Sequence, residues 1–230
     1  MTGRLYLENK TPGAVLRNTL LSAVSLFVNG FGVFLTIRAG LGAAPWDVLS
    51  LGLSRTLGIL YGDASVAISF TVLLIDLLLR EPIGLSMLID AVVVGKSVDL
   101  FDSLNLIPES LPAGAGVVLM ILGLFINSYT LVTYMTASLG CGPRDTLLVG
   151  LKKRFKRLPI GAVSVALMGT VTLAGWLLGG KVGVGTLMCA FLSGPILQLS
   201  FRTVHFRAEE VRHQHIMDSL RVLFSGLLKK

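Results

Sequence analysis

Two aspartates, Asp47 and Asp145, each stand two places after a proline, in LGAAPWDVL at 41–49 and LGCGPRDTL at 139–147. The two phrases lie 98 positions apart. Proline suits the first position of a helix, where its missing N–H would be unpaired anyway. An aspartate two residues later faces the positive helix terminus and can reach back to a free backbone N–H. On this structural reading Gly42 and Gly140 allow the turn, Ala44 or Gly142 caps, and Pro45 and Pro143 open the helix. The same residues also suit binding. Half-helix amino termini that dip into a membrane offer N–H groups to an anionic group, while partly buried Asp47 and Asp145 can hold a proton or a cation. Trp46 in one phrase and Arg144 in the other set an aromatic face against a fixed positive charge. Trp46 has a second use as an anchor at a membrane edge.

Other polar residues stand inside apolar text. Asn29 and Asn127 occupy equivalent places in Leu-Phe-Val-Asn at 26–29 and Leu-Phe-Ile-Asn at 124–127, again 98 apart. An interhelical hydrogen bond is the plain expectation, contact with a ligand the sharper one. Asp76 and Arg80 are spaced to pair on one helix, as are Lys96 and Asp99. Asp90 has no such neighbour, so it must face protein or a water-filled cavity. No nucleophile–base pair, metal cluster or phosphate loop is visible, so catalysis, a metal and a cofactor are not expected. Cys141 and Cys189 have no metal-ligand spacing and suggest no disulfide framework. His205, His213 and His215 read as surface histidines of the tail.

The elements that carry these residues must cross a membrane. The 230 residues are 53% hydrophobic and only 14% charged, with mean hydropathy +0.79. Thr19–Ile37, Ala113–Pro143, Leu158–Gly180 and Val182–Phe201 contain no Asp, Glu, Lys or Arg. Runs of that kind are membrane spans. The pattern predicts six: 14–37 (an uncleaved signal anchor), 63–80, 83–104, 113–136, 159–179 and 183–203. The segments 42–60 and 140–157 follow the repeated phrases. As helices of about a dozen residues they reach roughly 18 Å, too little for a core of about 30 Å, so they are expected to be re-entrant or interfacial. In the second, Leu147, Leu148, Leu151, Phe155 and Leu158 share a face opposite Lys152, Lys153, Lys156 and Arg157, which suits a helix lying on anionic lipid.

Positive charge orients the chain. The amino-terminal region carries Arg4, Lys10 and Arg17, six basic residues run from Arg144 to Arg157, and Arg202, Arg207, Arg212, Arg221, Lys229 and Lys230 lie from the end of the last span into the tail. The stretch 105–112 holds only Glu109. Basic segments stay inside, so both termini are expected to be cytoplasmic, and the net charge of +7 needs no nucleic acid. The phrase at 41–49 then lies outside and that at 139–147 inside. The expected fold is an all-α membrane protein of six helices in two inverted three-helix repeats, each with a short helix after LGxxPxD. Its parts are an amino terminus 1–13, a first repeat 14–110, a second repeat 111–203 and a basic amphipathic tail 204–230. If the short pieces were full spans, the count would be eight and the halves parallel; their length speaks against it. Gly84-Leu85-Ser86-Met87-Leu88 also matches Gly183-Val184-Gly185-Thr186-Leu187, and Gly95 matches Gly194, at an offset of 99. Gly183, Gly185 and Gly194 are expected to allow close helix packing, with Pro195 following.

At LGAAPWDVL, LGCGPRDTLL and GVGT followed by Gly194-Pro195, the chain resembles the YczE/YitT group of bacterial inner-membrane proteins over roughly residues 14–201. Its first half departs from the pattern at Gly84–Met87 and at Lys96. The resemblance implies a multispanning protein of the bacterial inner membrane with no established catalytic activity and no known substrate. The expected function is transport of an unidentified small molecule or ion, with Asp47, Asp145, Arg144 and the half-helix amino termini as the site. The alternative is a non-transporting scaffold or regulator that acts through its basic tail. Membrane lipid and further copies of the chain are the other expected partners.

Overall fold

A computed structural model describes residues 7–108, 111–206, 211 and 214–227, and every regular element among them is a helix. They run α1 (Pro12–Arg38), α2 (Pro45–Leu57), α3 (Tyr61–Leu78), α4 (Leu85–Ser103), α5 (Ala113–Thr136), α6 (Pro143–Arg154), α7 (Ile160–Leu177), α8 (Val184–Val204) and α9 (Ile216–Leu227). Local chemistry sets the starts. Thr11 caps α1 by accepting from Ala14 N–H at 3.2 Å, with Pro12 in the first turn. Ala44 and Gly142 are the caps of α2 and α6, and Pro45 and Pro143 open them, as the phrases predict. Gly58, left-handed at φ 66°, ends α2.

Five helices, α1, α3, α5, α7 and α8, are long and apolar enough to cross a membrane. The protein is a multi-pass helical membrane protein. At 19 residues α4 matches them in length but carries Asp90, Lys96, Asp99 and Asp102. The short helices α2 and α6 have 13 and 12 residues. Arg4, Glu109, Arg207, Arg212, His213, Lys229 and Lys230 lie outside the described residues.

The helices sort into two four-membered units. In one, α1 packs extensively against α5 and α4, and α5 packs against α8. Its apolar interior joins Leu26, Phe34 and Leu35 of α1 to Val94 and Val98 of α4 and Tyr134 of α5, with Met120, Leu124, Cys189 and Ile196 between α5 and α8. In the other, α2 packs on α7 and α3, and α6 on α3 and α7. Trp46, Ile68, Val72, Leu147 and Val171 form its separate core. The four connections α1–α2, α3–α4, α5–α6 and α7–α8 all pass from one unit to the other.

Two of these connections are matched crossings. Leu41 O accepts from Gly185 N–H at 2.7 Å, and Leu139 O accepts from Ser86 N–H at 3.0 Å. The Leu-Gly of each phrase thus docks on the first turn of the other half's fourth helix. Gly42 and Gly140 have φ of 107° and 118°, which side chains rarely adopt. A Cβ on Gly42 would lie 2.6 Å from Gly183 N, and one on Gly140 2.7 Å from Gly84 Cα. Gly183 and Gly185 are packing glycines as expected. Gly194 is not: a Cβ there meets nothing within 4 Å.

Three further expectations are corrected. Leu147 is 5% exposed in the core between α3, α6 and α7 and Leu151 packs against it, so this part of the expected lipid-facing side is turned on protein, whereas Phe155 and Leu158 are exposed. Trp46 is 8% exposed and no edge anchor. Asp76 is fully buried and both its carboxylate oxygens lack a hydrogen-bond partner, so it does not pair with Arg80, whose backbone turns left-handed at φ 60° just past α3. Lys96 does approach Asp99, at 3.9 Å, but its closer partner is Asp63 at 2.5 Å.

The termini meet on the loops that link the units at one end. Asn9 Nδ2 donates to Ala137 O at 2.9 Å, and its Oδ1 accepts from Asn18 at 2.8 Å. Gln214 N–H donates to Ser138 O and Ile216 N–H to Ile83 O, each at 2.9 Å, and α9 rests on α1.

Candidate functional site

The two phrases, remote in sequence, converge where the units face each other. Arg144, second residue of α6, reaches Asp47, third residue of α2, at 3.7 Å. Its guanidinium lies over the Trp46 ring, 5.4 Å from the centroid, and donates to Ser65 Oγ at 3.3 Å. Tyr61 OH, at the start of α3, donates to Asp47 Oδ1 at 2.8 Å. Tyr134 OH, near the end of α5, donates to Asp145 Oδ2 at 3.4 Å. Asp90 of α4 stands against the cap of α6, since a Cβ on Gly142 would lie 2.7 Å from its Oδ2. The α2, α3 and α6 residues come from one unit, Tyr134 and Asp90 from the other.

The carboxylates of the phrases do not serve as simple caps. Asp47 gives its Oδ1 to a phenol and a guanidinium from other elements. It is 4% exposed, whereas Asp145 is solvent-accessible. Charge burial of the Asp47 kind is tolerated only with a partner, and Arg144 supplies it across the halves. The asymmetry between Trp46 and Arg144, puzzling in an otherwise repeated phrase, becomes a cation–π contact between them. Beside the first phrase a cavity of about 230 Å³ is lined by Gly42, Ala43, Ser54, Arg55, Lys181 and others.

Asn29 and Asn127 are not part of this cluster. Asn29 Nδ2 donates to Thr130 Oγ1 at 3.0 Å and lies 3.5 Å from Asn127 O, joining α1 to α5. This is the interhelical bond expected. Asn127 Oδ1 stays buried without a partner, beside Gly32. Pro195 lies inside α8, and the helix continues through it. Tyr61, Tyr134 and Ser65 escape sequence reasoning because they fall outside the phrases, and the two tyrosines have no counterparts at the repeat offsets. In the structure, two of the chain's four tyrosines end on the two phrase aspartates.

The geometry ranks the two tyrosines. Tyr61→Phe removes a short bond to a buried carboxylate and should lower stability by about 1.5 kcal/mol. Tyr134→Phe removes a long bond to a more accessible one and should cost less than about 0.5 kcal/mol. Thermal unfolding of the two purified variants in the same detergent checks the order.

The sequence profile of a family of unknown function, DUF6198, matches residues 16–202. The chain belongs to this family. An uncharacterized protein of Haemophilus influenzae is 34% identical over 179 residues, covering 78% of this chain and 80% of its own. The uncharacterized membrane protein YczE of Bacillus subtilis is 32% identical over 189 residues, covering 81% and 86%. The uncharacterized protein YyaS of the same bacterium is 28% identical over 201 residues, covering 82% and 96%. The likeness to YczE carried by the repeated phrases therefore holds over most of the chain. No solved structure is significantly similar. The family match takes in both phrases, from α1 through most of α8, and stops short of the tail and α9.

Proposed function

We propose that this chain is a permease for a small molecule, built as an inverted repeat, with the Asp47–Arg144–Asp145 cluster as its substrate site. One observation carries the reading. Gly62 of α3 and Gly95 of α4 cross closely, a Cβ on Gly95 falling 2.9 Å from Gly62 O. Their counterparts at the 99-residue offset, Gly161 of α7 and Gly194 of α8, face open space. The two units are thus joined along α3–α4, and α7 and α8 make at most marginal contact. A repeat-built transporter in any one state holds its two halves in different conformations and exchanges them to expose the site on the other side.

Positive charge supports the orientation. With basic segments inside, Gly62–Gly95 closes the outer side and the Gly161–Gly194 gap faces inward, in keeping with a buried Asp47 and a more accessible Asp145. The outer contact is reinforced by Lys96–Asp63 at 2.5 Å and by Asp99 accepting from Gly62 N–H at 2.7 Å. The second half has Pro195, Ala162 and Gln198 at those places and no ion pair to hold the inner side shut.

The opposite state should therefore bring residues 161 and 194 together. In a Cys141→Ala, Cys189→Ala background, Gly161→Cys with Gly194→Cys should form an intramolecular disulfide in native membranes under a mild oxidant. Lys96→Ala should speed it several-fold by weakening the outer contact. If the pair stays reduced in both backgrounds, or links only between chains, the two-state permease is wrong. This test needs no knowledge of the substrate.

A further inference from the structure

Resting on the permease reading, we infer that the cluster takes a small organic monocation, a guanidinium or substituted ammonium, between Asp47, Asp145 and the Trp46 ring. Three carboxylates, Asp47, Asp90 and Asp145, converge on this place, and among the described residues Arg144 is the one basic side chain paired with them. The amino termini of α2 and α6 add at most about half a positive charge each. With all three ionised, about one negative charge is left without a counterion, in surroundings that are largely shut off from water on the Asp47 side. Such an imbalance is costly unless a cation or a proton joins it.

The site also displays which kind of cation suits it. The Arg144 guanidinium sits on the indole face with Ser65 Oγ as a hydrogen-bond partner, and its approach to Asp47 is long for an ion pair. A quarter of its side chain is exposed. It is therefore a tethered cation resting on an aromatic–carboxylate seat, with part of its side chain exposed. Aromatic rings beside carboxylates favour organic cations over small hydrated ions, because the ring face rewards a poorly hydrated charge. Trp46 provides such a wall, and the hydroxyls of Tyr61 and Tyr134 hold Asp47 and Asp145. An anion would meet three carboxylates, which sets this site apart from a plain helix-terminus anion site.

The cation therefore competes with Arg144 for the seat rather than adding to it. Displaced, Arg144 turns toward the solvated side, where Asp145 and Asp90 can receive it. The ligand would thereby break the link between α2 and α6 that now holds the cluster together.

The probe is methylguanidinium chloride, with tetramethylammonium chloride, sodium chloride and sodium acetate at equal ionic strength. The full-length protein carries Trp176→Phe, so that Trp46 alone reports by fluorescence. Methylguanidinium should give a saturable change that acetate and sodium do not. Asp47→Asn should weaken it about tenfold or more. Three outcomes would each overturn the inference: no saturable change with either organic cation, a saturable change with acetate instead, or binding of methylguanidinium only after Arg144→Ala. The last would make Arg144 the permanent occupant of the seat. Disulfide trapping at 161 and 194 is read without any ligand, so the permease reading can stand while the cation inference falls.

Discussion

Arg144→Met is expected to cost the folded chain about 3 kcal/mol. The loss arises less from the pair itself than from what is left behind. Asp47 is 4% exposed, and without Arg144 its remaining partner is the Tyr61 hydroxyl. Removing one member of a buried pair typically costs 3–5 kcal/mol; the lower end applies because Arg144 is partly solvated and its distance to Asp47 is 3.7 Å. The double variant Arg144→Met, Asp47→Asn should recover more than half of the loss, since a neutral amide is far cheaper to bury. Thermal unfolding in detergent, followed through the tryptophans, measures both. A single variant as stable as the parent would mean that the two phrases are not energetically joined.

Gly42→Val should be the more severe change, with a loss of about 3 kcal/mol or more and little folded protein recovered from membranes. Two effects add at one residue. A β-branched side chain at φ 107° costs roughly 1–3 kcal/mol of backbone strain. Its Cβ would also lie 2.6 Å from Gly183 N and 2.9 Å from Thr186 Oγ1, so the turn must leave the first turn of α8. That separation endangers the bond from Gly185 N–H to Leu41 O, one of the matched crossings between the units. Gly194→Val serves as control, because that glycine meets nothing and the substitution should be tolerated. Yield and monodispersity after solubilisation separate the two outcomes.

The class of the molecule was legible because membrane insertion depends on local sums. Whether a segment crosses is decided by length and hydropathy within about twenty residues, so α1, α3, α5, α7 and α8 could be drawn to within a few positions. The short helices were equally readable, since Gly-x-x-Pro and Pro-x-Asp act within one turn. Here the glycines, prolines and caps stand where the phrases put them. The Asn29 link between α1 and α5 could be foreseen as well, because a polar side chain in an apolar span has few ways to be satisfied.

What the sequence could not decide was which polar groups meet. Asp47 and Arg144 are 97 residues apart, and their contact depends on how α2 and α6 are brought together across the halves. Asp76 and Arg80 have the spacing of a pair, yet the chain turns out of the helix between them, and the carboxylate is buried alone. Gly62 with Gly95 and Gly161 with Gly194 are the same letters at one offset, but only the first pair touches. Local patterns determine helices because each helix satisfies its own backbone. The partner of a charge, and which of two equal contacts is closed, is set by the packing of whole units, and that is written only in the tertiary structure.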